Sequence, residues 1–281
     1  VPVTPCAELL SSAFATGRAL PAFNVITLEH AQAVVAAAEA TGAPVVLQVS
    51  QNAVAHHGGR LGPLAAALTA LADGSPARLA LHLDHVKDPE LLRAAPAAGF
   101  GSVMFDASRL PYDENVKATA EAVRFGRAHG LLVESELGRI GGKAGEAVDA
   151  HAPGARTDPA EAAAYAAATG VDALAVAVGS THAMTRRTAT LDHGLIRRLA
   201  AATGVPLVLH GSSGVPDEEL RRAVAAGMTK INIGTALNAA LTGAIRAELA
   251  RAPRAVDPRP YLAAGREAVR AEAERLIAVL R

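Results

Sequence analysis

The sequence predicts an α/β fold, a closed (β/α)8 TIM barrel with an additional C-terminal helix, and three observations carry that expectation. Short β-branched or aliphatic runs alternate with Ala-rich stretches of helical length along all 281 residues. Strict alternation of this kind gives parallel strands with helices outside them. Eight such units in about 250 residues fit a closed barrel better than an open doubly wound sheet. Finally, polar residues fall at the C-terminal ends of nearly all the strands, which closure would bring to one mouth.

The elements follow in order. A strand at 22–25 leads to a helix at 28–40, which Thr41-Gly42-Ala43-Pro44 stops before the strand at 45–49. A helix at 63–72 ends in Asp73-Gly74-Ser75-Pro76 and gives way to a strand at 79–83. The helix at 89–98 has Gly99 as its cap and the strand at 102–105 after it. A helix at 112–129, stopped by Gly130, precedes the strand at 131–137. Beyond a long polar segment come a helix at 159–169, a strand at 173–178, a helix at 193–203 and a strand at 206–209. The last unit is a helix at 217–226, a stop at Gly227 and a strand at 230–233. Helices at 236–251 and 261–280 complete the set. With no linker and no shift of composition, residues 1–281 read as a single barrel domain.

Composition excludes whole classes of function. Lys plus Arg and Asp plus Glu balance at 27 each, so the basic footprint of a nucleic-acid binder is missing. No apolar run approaches the roughly 18 residues of a membrane span. Cys6 is the only cysteine, which removes an internal disulfide and a cysteine-type zinc site. The chain opens at Val1 without a basic, hydrophobic leader, so the expected location is cytoplasmic. Two segments exceed the usual loop length, 138–157 and 179–189. Both follow strands, on the rim where barrel enzymes work.

The polar strand ends are Asn24, Ser50, Asp84-His85, Asp106, Glu136, Thr181-His182, His210 and Asn232. His85, His182 and His210 end the third, sixth and seventh strands. Three neutral imidazoles with an open position make a catalytic zinc or similar divalent site. One such histidine alone reads as a satisfied core residue; three at strand ends of one barrel read as ligands. His82, inside the third strand, and His56-His57 are weaker candidates, while His30, His129, His151 and His193 have no partner in view and read as structural or solvated. Asp84 beside His85 is placed to move a proton at a metal-bound substrate, the alternative being a carboxylate that orients a ligand histidine. Glu134 and Glu136 share one parity of the fifth strand. Two buried carboxylates are costly without partners, so a cation or the histidine cluster should answer them. Asp106 makes the same demand.

Two Gly-containing stretches follow strands seven and eight: Leu209-His210-Gly211-Ser212-Ser213-Gly214 and Asn232-Ile233-Gly234-Thr235. Loops at those strands commonly form a phosphate pocket, with backbone N–H groups and a helix N-terminus receiving the anion. A metal triad, an acid and a phosphate pocket together point to carbonyl chemistry on a phosphosugar.

Ala22-Phe23-Asn24-Val25, His82-Leu83-Asp84-His85, Phe105-Asp106-Ala107-Ser108, Glu134-Ser135-Glu136-Leu137-Gly138, the His210 loop and Lys230-Ile231-Asn232-Ile233 together resemble the class II, metal-dependent ketose-bisphosphate aldolases. The nearest branch is that of the tagatose- and fructose-bisphosphate enzymes, and the likeness runs in order from Ala22 to Asp257-Pro258-Arg259. It implies His85, His182 and His210 as Zn2+ ligands and Asp84 as the residue exchanging a proton with the C4 hydroxyl. Glu136 and Asp106 are implied near a second or displaced metal position. Gly211, Ser213, Asn232 and Thr235 would bind dihydroxyacetone phosphate, and backbone oxygens near Gly179 and Gly211 would hold a monovalent cation, Na+ or K+. Asn24 and Ser50 would line the pocket, and Arg259 would reach the far phosphate from a neighbouring subunit of a homodimer or homotetramer. Glu146, the first carboxylate after Gly141-Gly142, stands for the family's loop base. Departures are Lys143-Ala144-Gly145 where acids are usual, Ala183 in place of a glycine, Gly234, and Met184-Thr185-Arg186-Arg187.

The expected activity is zinc-dependent, reversible aldol cleavage of a ketose 1,6-bisphosphate to dihydroxyacetone phosphate and an aldehyde such as glyceraldehyde 3-phosphate. One rival is a sugar-phosphate-binding homologue impaired at the loop base. Another is a metal-dependent barrel hydrolase, which would carry His-x-His on the first strand, where Ala22-Phe23-Asn24 stands.

Overall fold

Alternating side chains and short helical connections leave parallel strands one way to bury both faces, and the chain takes it. The computed structural model describes residues 3–138 and 156–281. Eight strands pair in chain order and close into a barrel: β1 (Leu20–Asn24), β2 (Val45–Ser50), β3 (Leu79–Val86), β4 (Ser102–Phe105), β5 (Leu132–Leu137), β6 (Ala173–Val176), β7 (Leu207–Leu209) and β8 (Met228–Ile233). The closing pair sets Ala22 against Asn232.

Around it lie α1 (Cys6–Thr16), α2 (Leu28–Thr41), α3 (Gln51–His56), α4 (Leu61–Asp73), α5 (Pro89–Ala94), α6 (Tyr112–Ala128), α7 (Pro159–Thr169), α8 (His193–Thr203), α9 (Asp217–Ala225), α10 (Thr235–Arg251) and α11 (Arg259–Leu280). Side-chain carboxylates of Asp88, Asp158 and Asp192 accept the first free N–H groups of α5, α7 and α8. The Thr-Gly junctions at Gly42, Gly170 and Gly204 end α2, α7 and α8 in the left-handed region. None of the helices among the described residues is long and apolar enough to cross a membrane.

Two cores result. The larger lies between the strands and their helices, with Phe23, Leu47, Leu83, Val133 and Ile231 among its sealed side chains. The smaller fills the lower barrel, where Cys6, Leu9, Leu10 and Ala13 of α1 pack with Leu20, Ala22, Val46, Ala80, Ala173 and Ala175. Ala22, Ala80, Ala173 and Ala175 are small side chains here, and at close-packed density that leaves room for longer ones above.

The sequence reading missed α1 and α3. The apolar positions of α1 do follow a helical spacing, but no strand precedes it. Six residues of α3 are too few to show a period. Strand β3 also runs three residues further than expected, with a register shift between Leu83 and Val86.

Candidate active site

That irregularity brings Asp84 and His85 together. Strict alternation would send adjacent strand residues to opposite faces. Instead His85 takes φ 50, a left-handed conformation rare outside glycine, and both residues line the same cavity. Bulges of this kind commonly re-aim a side chain at a working site.

Three imidazoles meet there. Ring centroids are 4.8 Å apart for His85 and His210, 5.2 Å for His85 and His182, and 5.6 Å for His182 and His210. With Glu136 they offer four ligand atoms within 4.8 Å of one another. Asp106 stands behind this group: its Oδ2 accepts from His85 Nδ1 at 3.1 Å, while its Oδ1 accepts from the Ser108 hydroxyl at 2.6 Å. Nδ1 being the donor, the lone pair of His85 lies on Nε2.

His210 is oriented in the same manner from the other side. Its Nε2 donates to Glu134 Oε1 at 3.1 Å, and Glu134 Oε2 accepts from Lys230 Nζ at 2.8 Å. Glu134, Lys230 and His210 are at most 1% exposed. Burial alone would raise the Glu134 pKa; Lys230 and the His210 hydrogen bond bring it down to about 2. Burial likewise opposes protonation of His210, but Glu134 and Glu136 prevail and push it up to about 9. Nearby, His82 Nδ1 meets Ser102 Oγ at 2.8 Å, and burial followed by the Lys230 charge lowers its pKa to about 3. His82 is thus a neutral residue of the barrel interior.

Do these residues fit a divalent metal? His210 Nδ1 and Glu136 Oε2 lie 3.0 Å apart, and both are buried without a hydrogen bond. With the ring proton on Nε2, these are two lone pairs facing each other, costly to bury until a proton or a cation comes between them. A cation between them and the other two imidazoles would satisfy both. Three nitrogens and one carboxylate oxygen also suit zinc.

The cavity over this cluster measures about 330 Å³, the low end of small-ligand sites. Asn24, Ser50, Asp84, Gly211, Ser213, Asn232 and Thr235 line it, with His85 and His182. Gln48 Nε2 donates to Asn24 Oδ1 at 2.8 Å, and Asn24 Nδ2 donates to Asp84 Oδ2 at 3.0 Å. Asp84 Oδ1 is buried with no hydrogen bond. Burial would raise the Asp84 pKa, yet His85, then His210 and Lys230, hold it well below the usual carboxylate range. Ser50 Oγ caps α3 by accepting from Ala53 N–H at 3.1 Å. Gly211 has φ 68, and a Cβ there would stand 2.4 Å from the Thr181 carbonyl oxygen, so only glycine lets these two loops touch.

Other expected residues lie elsewhere. Gly179 packs against the Thr190 carbonyl and does not line the cavity. Arg259 begins α11, exposed and paired with Asp257, outside this chain's cavity. Glu146 falls outside the described residues. Lys230, Gln48 and Ser180, whose Oγ donates to the His210 carbonyl at 2.6 Å, received no role from the sequence. A signal existed for two of them: Lys230 shares its parity with Asn232, and Gln48 with Ser50, both at the mouth.

Comparison with known proteins agrees with this geometry. Residues 4–281 match the family model described as fructose-bisphosphate aldolase class-II. A fructose-bisphosphate aldolase of Geobacillus stearothermophilus is 38% identical over 265 residues, 94% of this chain and 92% of that one. The crystal structure of the YdjI aldolase from Escherichia coli K12 superposes with a TM-score of 0.87 at 29% identity, over 99% of this chain and 97% of that one. A putative fructose-1,6-bisphosphate aldolase from Coccidioides immitis gives 0.87 at 28% identity, over 99% and 96%. The chain therefore belongs to the class-II fructose-bisphosphate aldolase family, lyases that open a carbon–carbon bond of a ketose bisphosphate.

Proposed function

We propose that this aldolase carries out reversible cleavage of a ketose 1,6-bisphosphate of the fructose or tagatose type, to dihydroxyacetone phosphate and an aldehyde such as glyceraldehyde 3-phosphate. The observation that carries the reading is the convergence of His85, His182, His210 and Glu136 beneath a cavity walled by Asp84. We assign the metal as Zn2+, held by the three imidazoles with Glu136 as a fourth or alternative ligand. When bound, it supplies Lewis-acid polarisation of the ketone carbonyl.

The chain's own residues do the rest. Asp84 Oδ1 is the acceptor for the C4 hydroxyl proton, its partner oxygen being tied to Asn24. As that proton leaves, C4 becomes the aldehyde carbon, the C3–C4 bond breaks and its electron pair moves toward the ketone. The former C3 is then reprotonated, a step we assign to Glu146. Gly211, Ser213, Asn232 and Thr235 hold the dihydroxyacetone phosphate half, and Asn24 and Ser50 shape the wall beside it. Backbone oxygens near Gly179 and Gly211 hold Na+ or K+. Arg259, exposed on this chain, serves the far phosphate across a subunit boundary of a homodimer or homotetramer. We place the enzyme in the cytoplasm.

The reading is tested by retro-aldol assays with fructose and tagatose bisphosphates, before and after stripping with a chelator. Activity that disappears and returns with zinc supports it. Turnover that survives stripping, or none with any ketose bisphosphate, overturns it.

A further inference from the structure

The wall across from the histidines is the first turn of α10, and one side chain there has no part in the reading above. Asn238 lies one turn into the helix and lines the cavity beside Gly234 and Thr235. Its Oδ1 is 3.1 Å from His30 Nε2, and His30 Nδ1 is 3.1 Å from Thr27 Oγ1. The sequence reading left His30 without a partner; the barrel supplies two, from 3 and 208 residues away.

Hydrogen bookkeeping then leaves a single arrangement. His30 is 2% exposed; burial lowers its pKa against the opposing pull of the Asn238 hydrogen bond, so the ring is neutral with one N–H. An amide oxygen has no hydrogen to give. Nε2 must therefore donate to Asn238, and Nδ1 accepts from the Thr27 hydroxyl. With its oxygen engaged, Asn238 has only its NH2 group left to offer the cavity. The neighbouring groups are donors as well. Ser213 Oγ accepts from Ala236 N–H at 3.0 Å, which frees its own hydrogen. Gly211 and Gly234 keep backbone accessible, and among the described residues Asp84 is the one carboxylate that lines the cavity. A corner that turns the Asn238 amide and the Ser213 hydroxyl toward the cavity suits an anion, and a phosphate above a hydroxyl.

We infer that Asn238 is a specificity-determining residue that donates its amide N–H to the ligand's phosphate, and that His30 with Thr27 is the positioning pair that aims it. This rests on the phosphate pocket proposed above and deepens it.

The test compares binding of dihydroxyacetone phosphate with that of unphosphorylated dihydroxyacetone to the zinc-loaded enzyme, by calorimetry. Loss of one hydrogen bond to a charged group should weaken the phosphorylated ligand by about ten- to a hundredfold in Asn238→Ala. The unphosphorylated ligand and the zinc content should not change. Asn238→Asp, which turns a carboxylate oxygen toward the phosphate, should weaken it further. His30→Ala should give an intermediate loss that His30→Gln, whose amide can still donate, largely restores. A merely structural role would move both ligands together. If Asn238→Ala, or Asn238→Ser should the alanine variant fold poorly, keeps the wild-type preference for the phosphorylated ligand, the assignment of Asn238 is overturned alone. A wild-type enzyme with no such preference overturns the phosphate pocket along with it.

Discussion

Lys230 Nζ sits 2.8 Å from Glu134 Oε2 inside the closed barrel, both side chains sealed from solvent. The same carboxylate holds His210 by its other oxygen, so one buried ion pair on β5 and β8 orients an imidazole from β7. Lys230→Met would strand the Glu134 charge, which costs about 3–5 kcal/mol when a buried pair loses one partner. Adding Glu134→Gln removes the stranded charge and should recover much of the loss. Denaturant melts of both variants check this; a single mutant within about 1 kcal/mol of wild type would show the pair to be dispensable.

Ligand and proton-transfer roles separate by substitution. His210→Ala should lose bound zinc and turnover together. Asp84→Ala should retain zinc while kcat falls about 10²- to 10⁴-fold, the usual range for a general acid–base group. Metal content by mass spectrometry, set beside retro-aldol rates, distinguishes the two. A zinc-replete, active His210→Ala protein would refute the ligand assignment.

Glu146→Ala tests the loop base independently of the barrel. The variant should slow exchange of the C1 proton of dihydroxyacetone phosphate with solvent, with zinc content unchanged. Unaltered tritium release would clear Glu146 of that role.

The His210 proton sets a pH dependence with opposite signs for metal and fold. In the bare chain its pKa stands at about 9, so near neutrality the imidazole carries a proton that a metal must displace. Zinc affinity should rise about tenfold per pH unit from neutrality toward 9, then level. Calorimetry in buffers of different ionisation heat should find about one proton released at pH 7. For folding, a raised pKa contributes stability that is full below the unfolded value near 6.5 and lost as pH climbs through 9. Metal-free protein should therefore weaken across that window while metal binding strengthens. Affinity independent of pH between 7 and 9 would contradict the first half.

Ala183 is one of two non-glycine residues at positive φ among those described, at φ 58. A left-handed alanine costs roughly 1–2 kcal/mol, while glycine adds about 0.4–1 kcal/mol of unfolded-chain entropy. Ala183→Gly should stabilise the protein by up to about 1 kcal/mol in a denaturant melt. A loss of stability would mean that the methyl group makes contacts worth more than the strain.

Much of this was legible before any coordinates. Short apolar runs, Ala-rich helical stretches and glycine stops are local properties, so the eight strands and their order could be read from neighbouring residues. So could the placement of Asn24, His210 and Asn232 at or beside strand ends, because chain direction fixes which end is the mouth once the sheet is parallel; His182 instead lies in the loop beyond β6, which ends at Val176. Even the need for a partner to Glu134 and Glu136 followed from the cost of burying charge.

Identity of the partners was another matter. That Lys230 answers Glu134, that Asp106 serves His85 from behind, and that His30 aims Asn238 depend on which strands and helices closure makes adjacent. Those residues lie 96, 21 and 208 positions apart, and no pattern of short period spans such distances. The sequence did set Asp84 and His85 at one site, but not the means: the one-residue register shift in β3 that lets two adjacent residues line the same mouth. Residue types and strand parity thus determined what chemistry the mouth could hold. Closure of the barrel, through its register and the irregularity in β3, decided which nitrogen of His85 and of His210 faces the centre.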